Sequence, residues 1–142
     1  MAQIVYKGRI NSSFEGFDDG AIFKMENGTY WVQDKYRYWY HYSYRPHAVI
    51  TEENGRYIMT VEGESIPVKR IFKAIESNID GEFDGWDGNK KYKLTNGQVW
   101  EQAEYKYEYK YAYRPEVIIA EINGSYVMRV EGTQVRVRRV SN

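Results

Sequence analysis

Cysteine is absent from the 142 residues, and proline occurs only 3 times. Without cysteine there is no disulfide framework and no thiolate metal site. Net charge is missing too, since 20 basic and 20 acidic side chains cancel. That balance argues against a chain held on nucleic acid or an anionic membrane by electrostatics alone. Histidine is scarce: His41 and His47 are the only two, in no zinc-ligand spacing. No nucleophile elbow or phosphate loop occurs. No apolar run approaches the roughly 18 residues of a membrane-spanning helix, so no membrane partner is expected. Charge arrives at Lys7 with no long apolar core after it, so no signal peptide is read and a cytoplasmic location is expected. Aromatic residues are the abundance: 15 Tyr, 4 Trp and 5 Phe, within a 42% hydrophobic composition. Such a chain has enough to bury for one or two small folded domains.

The sequence is one unit written twice. Tyr42-Ser43-Tyr44-Arg45-Pro46 recurs as Tyr111-Ala112-Tyr113-Arg114-Pro115, an offset of 69. The same offset maps Gly16 to Gly85, Asn27-Gly28 to Asn96-Gly97, and Trp31 to Trp100. It also maps Gln33 to Gln102, Asn54-Gly55 to Asn123-Gly124, and Val61-Glu62-Gly63 to Val130-Glu131-Gly132. No gap is needed from Ile10/Ile79 to Arg70/Arg139, which implies a tandem duplication. Charge balances within each half, with 9 basic and 9 acidic residues in 1–70 and 11 of each in 71–142. The expected domains are residues 1–71 and 72–142. The connecting Val68–Ile75 has no Gly, Ser or Pro, which predicts two units packed together, with Phe72 and Ile75 near the junction.

Each copy reads as β. β-branched and aromatic residues fill the periodic runs, and Asn-Gly pairs punctuate them. Strands are predicted near 5–14, 21–26, 29–33, 36–44, 48–52, 57–61 and 66–71, and again 69 residues later. A type I′ turn at Asn54-Gly55 pairs Ile50 with Met59 and Ala48 with Val61. The equivalent turn at Asn123-Gly124 pairs Ile119 with Met128 and Val117 with Val130. Apolar meets apolar in both copies, which fixes that face as core. At Asn27-Gly28 two registers stay open. A two-residue loop puts Trp31 and Trp100 on the outer face beside Lys24 and Lys93. A three-residue loop with a Gly bulge pairs Phe23 with Trp31 and turns the indole inward.

Gly81-Glu82-Phe83-Asp84-Gly85-Trp86 is followed by Tyr92-Lys93-Leu94-Thr95-Asn96-Gly97-Gln98-Val99-Trp100-Glu101-Gln102. Tyr-Arg-Pro and Ser125–Gly132 complete the pattern. These residues resemble the small SH3-like β-barrel domains found in many uncharacterised bacterial proteins. Repeat 1 matches more loosely, with Met25 for the Leu and Thr29-Tyr30 for Gln-Val. The resemblance covers nearly the whole chain, twice. It implies an all-β fold of two tandem SH3-like barrels, and it brings no catalytic residue.

Tyr36, Tyr38, Tyr40, Tyr42 and Tyr44 alternate with Arg37, Trp39, His41 and Ser43. Tyr105, Tyr107, Tyr109, Tyr111 and Tyr113 alternate with Lys106, Glu108, Lys110 and Ala112. Period two sets each row on one strand face. Aromatic stripes ordinarily line a core, with Tyr hydroxyls reaching polar rims. Yet nine residues of strand at ~3.4 Å each exceed a small barrel wall, so part of each row is expected outside.

The acidic turn Asp84–Asn89 lacks EF-hand spacing and reads as turn chemistry. Arg136 and Arg138 share a strand face near the C-terminus. The sequence therefore predicts a non-catalytic interaction module with no cofactor and no metal. Its binding surface is expected to draw on the Tyr rows, Trp39, Trp31 and Trp100. Protein or peptide contact, including homo-oligomer formation, is the leading expectation. Single-stranded nucleic acid held by Tyr, Arg136 and Arg138 is the alternative. An enzyme with its site at the repeat junction ranks lowest.

Overall fold

A computed structural model describes residues 2–141, and among them every regular element is a strand. The chain divides into two compact, similar units, Met1–Phe72 and Lys73–Asn142.

Unit 1 contains β1 (Gln3–Arg9), β2 (Ser13–Phe17), β3 (Ile22–Lys24), β4 (Tyr30–Gln33), β5 (Trp39–Tyr44), β6 (His47–Glu53), β7 (Arg56–Val61) and β8 (Glu64–Ile71). Six of these form one antiparallel sheet in the order β1-β6-β7-β8-β4-β3. That sheet curls until its ends touch, at a bridge between Ile10 and Met25. The remaining pair, β2 and β5, forms a separate two-stranded ribbon.

Local chemistry explains the curl. Asn54 and Gly55 have φ of 54° and 79°, as a two-residue hairpin loop requires. The predicted pairs Ala48–Val61 and Ile50–Met59 are present, and all four side chains are buried. At Asn27-Gly28 the loop has three residues: the Met25 amide donates to the Thr29 carbonyl, and Gly28 sits at φ 87°. Phe23 therefore pairs with Trp31, and the indole turns inward. Of the two registers, the structure has the inward one: Trp31 and Trp100 are both buried, because the extra loop residue reverses the faces, so neither joins the expected binding surface.

Unit 2 repeats the plan with β9 (Ala74–Asn78), β10 (Glu82–Asp87), β11 (Lys91–Lys93), β12 (Val99–Gln102), β13 (Tyr107–Tyr113), β14 (Glu116–Ile122), β15 (Ser125–Val130) and β16 (Thr133–Ser141). Its six-stranded sheet runs β11-β12-β16-β15-β14-β9, its ends meet at Ile79 and Leu94, and β10 pairs with β13 as the ribbon. Val117, Ile119, Met128 and Val130 are buried in the predicted register.

Predicted strand 21–26 shrinks to Ile22–Lys24, and two others are cut for clear reasons. Residues 5–14 break after Arg9, where the chain leaves the curled sheet and crosses to the ribbon. Residues 36–44 become strand only at Trp39, because the preceding stretch is held as a loop by Gln33. Phe72 is 82% exposed, with the Arg70 guanidinium 5.0 Å from its ring centre. Ile75 packs against the core of unit 2.

Candidate functional site: the tyrosine ribbons

The inner side of the unit 1 ribbon is filled before the tyrosines can reach it. Phe14 and Phe17 of β2 are fully buried, with ring centres 6.0 Å apart, and each packs against Phe23. Trp39 of β5 joins them, 5.1 Å from Phe17. In unit 2 Phe83 and Trp86 take the inner side. The tyrosines of β5 and β13 must then face out.

All ten row tyrosines are exposed, from 49% at Tyr111 to 82% at Tyr105. The expectation that only part of each row lies outside the core is therefore corrected. The core is supplied by β2 and β10 and by the curled sheets, which leaves no inner position for the row tyrosines.

A glycine fixes how closely the two ribbon strands approach. A Cβ on Gly16 would sit 1.8 Å from the Trp39 carbonyl oxygen, and one on Gly85 would sit 1.9 Å from that of Glu108. Both glycines have positive φ, 95° and 98°, and both lie where the ribbon register shifts. The bulge re-aims the strand and tolerates no side chain at that point.

A buried glutamine holds the lead-in to each row. In unit 1 the Gln33 amide donates to the Lys35 and Arg37 carbonyls, at 2.9 and 3.2 Å, and its oxygen accepts from the Asp18 amide. Gln102 does the same with Glu104, Lys106 and Asp87. The indoles are fixed with a substitution between copies: Trp31 donates to the Thr29 hydroxyl, and Trp100 to the Gln98 side-chain oxygen, both at 3.0 Å.

Carboxylates share the outer face. Glu82 lies opposite Tyr113 and Asp87 opposite Tyr107, with Asp84 between them at the bulge. The Tyr111 hydroxyl donates to Glu82 at 3.0 Å, which holds that phenol above the ordinary range, and Asp84 adds to the effect. Tyr105 and Tyr107 meet edge to face at 5.0 Å, and their hydrogen bond raises Tyr107. In unit 1, β2 presents Glu15 and Ser13 on that face.

Comparison of the chain with protein-family models, with curated proteins and with solved structures finds no match.

The predicted binding residues therefore separate into groups. Tyr40 and Tyr42 lie on the outer face of the unit 1 ribbon, with Tyr36 and Tyr38 exposed in the loop before it; Tyr107, Tyr109 and Tyr111 lie on that of unit 2, with Tyr105 against Tyr107. Trp39 points the other way, half-buried, with His41 stacked parallel on it at 5.1 Å. Trp31 and Trp100 are core. Arg138 lines a shallow groove with Tyr105 and Tyr107, but it is paired with Glu101 at 2.8 Å. Arg136 lies 3.8 Å from Glu104. Single-sequence reading missed Glu15, Glu82, Asp84 and Asp87 as members of the face. Their strand position opposite the row, once β10 is paired with β13, is the signal that finds them.

Proposed function

We propose that the two units are SH3-like barrels arising by tandem duplication, and that they act as a non-catalytic protein- or peptide-binding module. The ligand surface is the outer face of each tyrosine ribbon. One observation carries this reading: ten tyrosines stand exposed in two rows, and neither core uses them. Tyrosine offers large rigid contact area with only two side-chain torsions to fix, which is why it is enriched in recognition surfaces. An exposed aromatic patch of this kind fits a partner or a second copy of the chain. Each ribbon has only two strands, so β5 and β13 keep one edge without a partner strand among the described residues. An extended peptide can use such an edge as well as the side-chain row.

The test is a variant with Tyr40, Tyr42, Tyr109 and Tyr111 all changed to Ser. These side chains are exposed, so each change should alter stability by no more than about 0.5 kcal/mol. Peptides selected from a display library on the wild-type protein should lose binding to the variant. Any concentration-dependent oligomer seen by light scattering should also disappear. A variant that keeps every selected ligand and the same assembly state would sink the reading.

A further inference from the structure

Several carboxylates elsewhere in the protein are matched to cations. Glu64 pairs with Arg37, Glu26 with Arg45, Glu101 with Arg138 and Glu104 with Arg136. Among the described residues, Glu82, Asp84, Asp87 and Glu15 pair with no Lys or Arg side chain. The positions of β10 and β13 that share the tyrosine face by alternation carry acidic residues and tyrosines, while Lys110 is exposed on the alternate side of β13. In a chain of zero net charge this is a local excess of negative charge, placed among exposed phenol rings.

We propose that the outer face of the unit 2 ribbon docks an extended Lys/Arg-rich peptide segment of a partner protein. The proposal rests on the reading of the tyrosine ribbons as binding faces and names what they bind. Both components of the face favour the same ligand charge. Carboxylates attract a cation directly, and an aromatic ring attracts it through the negative face of its π-system. Arginine adds a planar guanidinium that stacks on phenol rings and takes carboxylates in a fork.

The spacing fits an extended chain. Successive outward residues on β13 lie about 7 Å apart, two residues at ~3.4 Å each, which is also the repeat of alternate side chains in an extended peptide. A nucleic-acid strand offers the same stacking partners but brings phosphates toward Glu82, Asp84 and Asp87, which repel them. Unit 1 has Ser13 at the position of Glu82 and Glu15 at that of Asp84, so it is the weaker of the two for the same ligand.

The experiment is a fluorescence-anisotropy titration of the full chain with four labelled probes. Three are peptides of equal length: alternating Arg-Gly, alternating Glu-Gly, and a neutral Pro-rich sequence. The fourth is oligo-dT. The Arg peptide should bind best and weaken as salt rises. The triple variant E82Q/D84N/D87N should lose about tenfold in affinity for it. The double variant Y109S/Y111S should lose a similar factor, and E15Q much less. Circular dichroism and the unfolding midpoint check that each exposed-site variant remains folded.

Arg-peptide binding that ignores the triple variant overturns the proposal, as does a preference for the Glu peptide or oligo-dT. If the Pro-rich peptide binds best and only the tyrosine variant releases it, the cationic partner is wrong and the tyrosine-face reading stands. If no probe's binding responds to Y109S/Y111S, and the library-selected peptides do not respond either, both readings fall.

Discussion

Behind Tyr40 in unit 1 stands Trp39, its indole 5.1 Å from Phe17. At the matching place in unit 2 stands Glu108, and the indole has moved across the ribbon to Trp86, where unit 1 has Phe17. The Trp86 indole donates to the Thr133 hydroxyl at 3.0 Å, and Thr133 donates to Glu108 at 2.8 Å. In unit 1 the counterpart of Thr133 is Glu64, paired with Arg37. An aromatic stack in unit 1 stands where unit 2 has a polar relay, yet each row has five tyrosines. The row is therefore not a by-product of one particular packing beneath it. Two different inner layers carry the same outer surface.

The firmest way to break that comparison is at the bulge. Gly16→Ala and Gly85→Ala each drive a Cβ into a carbonyl oxygen, at a φ that L side chains rarely adopt. Each should cost about 3 kcal/mol or more, and by similar amounts, since the geometry is the same in both units. Urea unfolding followed by Trp fluorescence measures both. A large cost in one unit alone would show that the ribbons are built differently.

A smaller effect should come from the glutamines. Gln33→Leu and Gln102→Leu leave a part-buried main-chain amide and two carbonyls without their partner, at a cost of about 1 kcal/mol each. Hydrogen exchange at the Asp18 or Asp87 amide should quicken in the matching variant. An unchanged rate would show that the glutamine does not hold the loop.

An effect of similar size sharpens a difference between the units. Tyr92 stands where unit 1 has Phe23, and its hydroxyl donates to the Gly85 carbonyl at 2.8 Å. Tyr92→Phe should cost about 1 kcal/mol at neutral pH. Burial pushes this phenol far above its ordinary range, and the Asp87 carboxylate adds to the push. Unfolded Tyr ionises near pH 10. The folded protein keeps the proton there and the unfolded chain loses it. The stabilising contribution is therefore complete below about pH 10 and falls as pH rises beyond it. Between neutral and strongly alkaline pH, Tyr92→Phe should lose less stability than the wild type. Equal losses would show that Tyr92 is not the group responsible.

What the sequence revealed depended on whether local signals agreed. At Asn54-Gly55 the turn residues and the apolar alternation point to one register, and the structure has it. At Asn27-Gly28 the same dipeptide permits two loop lengths, and one extra residue decides whether Trp31 is core. The tyrosine rows were legible as rows but not as outward rows. Trp39 and His41 on the reverse face made either side plausible as core. The carboxylates were harder still, because Glu82 and Tyr111 lie 29 residues apart and meet only when β10 pairs with β13. The glutamine clamp was visible as a recurring residue, while its bonds to the loop depend on folded geometry.

That clamp has a consequence for how such a surface can change. Gln33 and Gln102 touch only main-chain atoms in the loops they secure. They fix where the segment runs without asking which side chains it carries. Tyr36 and Tyr105 can thus be exchanged for other residues while the loop path stays the same. On the proposed reading of the tyrosine faces, each unit then holds a slot whose side chains can be changed toward a different ligand while the scaffold beneath is preserved.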